Sequence, residues 1–112
     1  MAALLVMVAG PYSAPTAEGR AANLRRMNEA AVAVAARGHV PVIGVNAALP
    51  VLEAAGHPPT HLWMMAISLA LAVRCDACLQ IANSPGADRE ADAIRARGLP
   101  VWTRIEDVPA AR

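Results

Sequence analysis

Between Leu4 and Ala9 the chain reads LLVMVA, an unbroken apolar run that stops at GPYS. A strand with one wet face alternates apolar and polar side chains, so a run without alternation belongs to a strand covered on both faces, as in a parallel sheet. Parallel strands need crossover helices, and the sequence supplies them in turn. From about Glu18 to Arg37, the residues Leu24, Met27, Ala31, Val34 and Ala35 recur at helical spacing while Arg20, Arg25, Arg26, Glu29 and Arg37 lie elsewhere around the axis. Gly38 is a natural stop. HVPVIGV reads as a second strand, with Pro41 near its start where a missing N–H is tolerated. NAALPVLEAAGHPPTH reads as a long connection with one short helical turn, Leu62 to Arg74 as the second main helix, and ACLQIA as a third strand. Ala87 to Arg97 forms a third helix and PVWT a fourth strand, and the tail after Arg104 frames a last helical turn. Alternating strands and helices predict a small doubly wound α/β fold, one domain over residues 1–112, with a parallel sheet of four to five strands between helical layers. Ligands of such folds gather at the carboxyl ends of the strands, near the point where the strand order reverses. AGPYS and NSPGADRE both arrive there.

Composition removes several classes of function. Ten basic against nine acidic side chains leave a formal charge of +1, and no basic block exceeds Arg25-Arg26, so the charge footprint of a nucleic-acid binder is missing. MAALLVMVAG lacks the basic flank of a secretory signal, and LWMMAISLALAV, Leu62 to Val73, falls short of the roughly 20 residues a membrane span needs. A soluble, cytoplasmic protein is expected. Cys75 and Cys78 come at a helix end and enter a strand, away from the helix N-terminus that activates a redox dithiol, so two inert buried thiols are expected. His57 and His61 are separated by PPT, which keeps them off one helical face, so no metal site is expected there.

NSPGADRE carries the chemistry. Ser84 suits an N-cap, Pro85 the first helical position, and Gly86 follows, so the helix presents free N–H groups and its positive dipole end. That is an anion site in waiting. At about 100° per residue, Ala87, Ala91, Ile94 and Gly98 share a face and Glu90 sits about 60° from its centre, closer than Asp88, Arg89 or Asp92. Glu90 therefore borders the buried side, and Gly86, one turn earlier, leaves space over its carboxylate. Read from pattern alone, the favoured alternative is that Ser84 only caps, Gly86 only turns and Glu90 pairs with a neighbouring arginine on a wetted face. Trp63, Met64 and Met65 either cradle an aromatic ligand or fill the core. Arg20 and Asn23 either lean over a phosphate or stand in solvent. Asp76 caps or ends its helix.

Taken together, VAGPYS after the first strand, a helix closing in CD, and SPGADRE before an alanine-rich helix and GLPVW resemble the nucleoside 2-deoxyribosyltransferase-like superfamily, over most of the chain. The resemblance implies a flavodoxin-like, Rossmann-like fold, a dimer or larger homo-oligomer, and cleavage of the glycosidic bond between base and sugar in nucleosides or nucleotides. It implies no cofactor. Glu90 takes the position of the catalytic glutamate, with Gly86 four residues before it and Gly10 ending the first strand. Gly10, Pro11, Ser84, Gly86 and Ser68 are the implied substrate contacts. Six residues before the glutamate the family has aspartate where a free 5′-hydroxyl is held and serine where a 5′-phosphate is accepted; this chain has Ser84, which favours a monophosphate. Two positions depart from the family. Ser68 stands where a helper aspartate is usual, and Met7 where a tyrosine hydrogen-bonds the glutamate, leaving Tyr12 as the candidate replacement. A serine donates a hydrogen bond but does not act as a carboxylic acid. The alternatives to an N-glycosidase are a nucleotide-binding module with little turnover, and an interaction protein.

Overall fold

The computed structural model describes residues 1–56 and 60–112. Its elements follow one another as β1 (Leu5–Ala9), α1 (Ala17–Ala36), β2 (Val40–Val42), α2 (Gly44–Ala55), α3 (Thr60–Ala72), β3 (Ala77–Gln80), α4 (Pro85–Arg95) and β4 (Val101–Trp102), with a 3-10 turn over Ile105–Asp107. The four strands form an all-parallel sheet in the order β2-β1-β3-β4. The chain moves outward from β1 to β2, then crosses back over β1 to lay down β3 and β4. The reversal falls between β1 and β3.

Strand parity divides the core. Val6, Val8, Ala77 and Leu79 face one way, onto Met27 and Val34 of α1 and Val108 of the tail. Met7, Ala9 and Cys78 face the other way, onto Ala72 and Cys75 at the end of α3 and Ala87, Ala91 and Ile94 of α4. The sheet is thus covered on both faces, which is why LLVMVA shows no alternation. Thr16 caps α1 by accepting from Gly19 N–H at 3.0 Å. Gly38, at φ +88°, turns the chain out of the helix in the left-handed region where a side chain would be strained.

Buried polar groups tie the ends of the sheet. His39, 4% exposed, accepts from Leu4 N–H through Nδ1 at 3.0 Å and meets Pro109 O through Nε2. The carbonyl can only accept, so Nε2 carries the proton and the ring is neutral. Asp76 accepts from Leu5 N–H at 2.8 Å, fastening the start of β1 instead of capping its own helix. Arg97 donates to Cys75 O at 2.8 Å and closes the turn after α3.

The second strand and the connection after it differ from the sequence reading. The strand covers only Val40–Val42, and the connection begins as a helix of 12 residues, not a single turn. Pro50 suggests a break, yet it sits inside α2. The alanines around it favour helix, and burial of Ala48 and Leu52, one turn apart, rewards it. Gly56, at φ +73°, ends α2. The remainder of that connection, His57 to Pro59, lies outside the described residues, and with it the expectation about His57 and His61. Elsewhere the element ends move by about two residues, the usual imprecision of helix and strand termini. No described helix is long and apolar enough to cross a membrane.

Candidate functional site

A cavity of about 320 Å³ opens at the carboxyl ends of β1 and β3, where the strand order reverses. The loop after β1 contributes Gly10, Pro11, Tyr12 and Ser13, α4 and its entry contribute Ser84, Pro85, Gly86 and Glu90, and α3 and α2 close the remaining sides. Gly10, Pro11, Tyr12, Ser68, Ser84, Gly86 and Glu90, the substrate contacts and catalytic groups that the resemblance implies, all line this one space. The volume suits a small organic ligand.

The loop after β1 is held from below. A Cβ on Gly10 would stand 2.8 Å from Ile81 Cγ1, so glycine leaves room for the Ile81 side chain at the end of β1. Asn23 donates from Nδ2 to Tyr12 O at 3.0 Å, and Arg20 donates to Ala14 O at 3.0 Å. These two α1 side chains, weighed above as phosphate contacts, instead brace the loop backbone and do not line the cavity.

The mouth of α4 is equally fixed. Ser84 Oγ accepts from Ala87 N–H at 3.1 Å, and Pro85 takes the first helical position. Asp88 Oδ1 accepts from Gln80 Nε2 at 2.7 Å and from Asn83 Nδ2 at 3.2 Å, tying the helix start to the end of β3. The Ser84 hydroxyl keeps its own proton free to donate into the cavity. A Cβ on Gly86 would meet only Met65 Sδ, at 3.6 Å, so glycine here relieves no clash. Its missing side chain leaves the cavity open.

Glu90 is 8% exposed, between the buried Ala87 and Ala91. Burial pushes its carboxyl up from 4.5 to about 7, because water that would solvate the charge is excluded. No described residue donates a hydrogen bond to it, and no described side-chain oxygen is both fully enclosed and unpaired. Its carboxylate therefore opens onto the cavity. Met7 is fully buried in the same cluster and offers no donor. Tyr12 lines the cavity, but its ring packs on the α1 side of the sheet and no hydrogen bond joins it to Glu90.

From α3 come His61, Met64, Met65 and Ser68, spaced to share one face, while Trp63 points elsewhere and is 45% exposed. Ser68 is 4% exposed and stands near Glu90. A Cβ on Gly44 would overlap Ser68 Oγ and stand 2.8 Å from Glu90 Oε2. Only a glycine at the start of α2 admits both groups to that corner. Gly44, Val45 and His61 are the site residues the sequence reading missed. A glycine inside the apolar run VPVIGV does signal close backbone approach, but the strand pattern of that run hides it. For His61 no pattern distinguishes a cavity residue from a surface one.

The lining is mainly apolar. Among its described residues Glu90, His61 and Tyr12 are titratable, and none is lysine or arginine. No described cluster of three or more His, Cys, Asp or Glu could hold a metal ion. Fold and cavity together define a doubly wound α/β protein with a buried carboxylate, unpaired among the described residues, at a switch-point pocket. No protein-family model matches the chain, and no curated protein matches it significantly.

Proposed function

We propose that the chain is an N-glycosidase acting on nucleosides or nucleoside 5′-monophosphates, with Glu90 as nucleophile. The observation that carries this reading is a glutamate 8% exposed, with no hydrogen bond from the described residues and open to a cavity of about 320 Å³. Leaving a carboxylate desolvated and unpaired costs stability, and such groups are characteristic of reaction centres. With the sugar across Gly10 and Gly86, C1′ faces Glu90. A 5′-phosphate or hydroxyl meets the Ser84 hydroxyl and the first N–H groups of α4, and the base lies among Val45, Met64 and Met65.

In the reaction a Glu90 oxygen approaches C1′ as the C1′–N bond breaks, and its charge stabilises the oxocarbenium-like transition state or traps it as an ester. Desolvation strengthens that electrostatic contribution. Water then releases the sugar, or another base accepts it. Ser68, close to Glu90, supplies a hydrogen bond to the carboxylate or the sugar in place of an acid. The exposed Leu62 and Trp63 of α3, with Val73 just past its end, favour a second copy of the chain covering that helix.

The test is chromatographic detection of free base after incubation with ribo- and deoxyribonucleosides and their 5′-monophosphates. Wild type is expected to release base from at least one, and Glu90→Gln from none. A second reading, a nucleotide-binding module, is favoured by Ser68 and Met7 at the two departures from the family pattern. It would give a rise in melting temperature with one nucleotide and no base release.

A further inference from the structure

A leaving base must take up a proton or depart as a poor, anionic leaving group, and the N-glycosidase reading so far names no donor. The proton has few possible sources. Among the described lining residues the groups with exchangeable protons are serine hydroxyls, Tyr12, Glu90 and His61. Alcohols and phenols hold their protons too tightly near neutral pH, and Glu90 is needed as a carboxylate. Neighbouring elements add little: α2, which packs against α3, carries Glu53 as its one charged side chain, the loop from Gly10 to Thr16 has Tyr12 as its one titratable group, and Asp88, Arg89, Asp92 and Arg95 of α4, which also packs against α3, do not line the cavity. Imidazole is the side chain suited to give up and recover a proton near pH 7.

Resting on that reading, we infer that His61 is the catalytic acid, protonating the departing base. His61 lies two helical turns before Ser68 on the cavity face of α3, about 10 Å along the axis. Ser68 stands beside Glu90, so His61 is placed at the outer edge of the base, away from the glycosidic nitrogen. Protonation there suffices, because the ring carries the electron pair across. The C1′–N bond breaks and its electron pair enters the base, a ring nitrogen of which takes the His61 proton, while a Glu90 oxygen forms the bond to C1′. Water then attacks C1′ and releases its proton to solvent, the Glu90 oxygen leaves with its electron pair, and the exposed imidazole recovers a proton from solvent. The net reaction is nucleoside plus water to free base plus sugar.

The test compares a purine nucleoside or monophosphate with its N7-methylated counterpart, whose base departs neutral without taking a proton. His61→Gln should lower release from the unmethylated substrate by about a hundredfold or more and change release from the methylated one by no more than about threefold. His61 is exposed, so the variant should melt with wild type. Equal loss on both substrates, or no loss on either, overturns the assignment. Glu90→Gln should lose both. If wild type releases base from neither, the N-glycosidase reading itself fails, which is distinct from a His61 variant indifferent to methylation.

Discussion

Replacing Glu90 with glutamine should stabilise the protein at pH 8 while leaving it unchanged at pH 4.5. Burial raises the folded-state carboxyl from 4.5 to about 7, so between these values the folded chain holds a proton the unfolded chain has released. Stability therefore falls as pH rises through this window. The full stabilisation is present below 4.5 and lost above about 7. At about 1.4 kcal/mol per pH unit, the gap amounts to about 3 kcal/mol. Glutamine keeps the shape and has no charge to desolvate. All other carboxyls titrate alike in both chains and cancel in the difference. Urea denaturation of wild type and Glu90→Gln from pH 4.5 to 8.5 reads this directly, and in a domain of this size the variant should melt roughly 10 °C or more higher at pH 8. Parallel stability profiles, or a variant weaker than wild type at pH 8, would refute the claim that Glu90 is a carboxylate desolvated by burial.

Other outcomes follow from the same structure. Gly44→Ala drives a methyl into Ser68 and Glu90, and should cost about 1–3 kcal/mol in denaturation while reducing nucleotide-induced stabilisation. His39→Ala removes the acceptor of Leu4 N–H and the donor to Pro109 O, and should cost about 1–3 kcal/mol without altering nucleotide binding. Burial raises Cys75 to about 11 and Cys78 to about 12, so neither thiol should react with iodoacetamide at pH 8 until the chain is unfolded in urea.

The two-sided burial of β1 and the parallel sheet were legible because LLVMVA has no wet face and every strand is followed by a helical pattern. The placement of Glu90 on the buried flank was legible from helical phase alone, since Ala87, Ala91 and Ile94 define the core face of α4. Local pattern did not reveal how α2 forms. Its helix holds a proline in its interior, and the preference of the surrounding alanines prevails there with the burial of Ala48 and Leu52. The same is true of Arg20 and Asn23: their types suit a phosphate, but the nearby carbonyls of Tyr12 and Ala14 claim them. Gly44 and His61 belong to the cavity through the packing of α2, α3 and α4, a non-local relation that spacing along one helix does not encode.

The most direct test of Glu90 as a working carboxylate is the pH dependence of kcat/KM for base release from the N7-methylated substrate, which needs no acid, so that the profile reports the ionisation of Glu90 in the free enzyme. A carboxylate nucleophile predicts activity that rises with pH through about 7, as Glu90 loses its proton, and no activity in Glu90→Gln at any pH. Undiminished release by Glu90→Gln, or a wild-type profile that falls through this range, would contradict it.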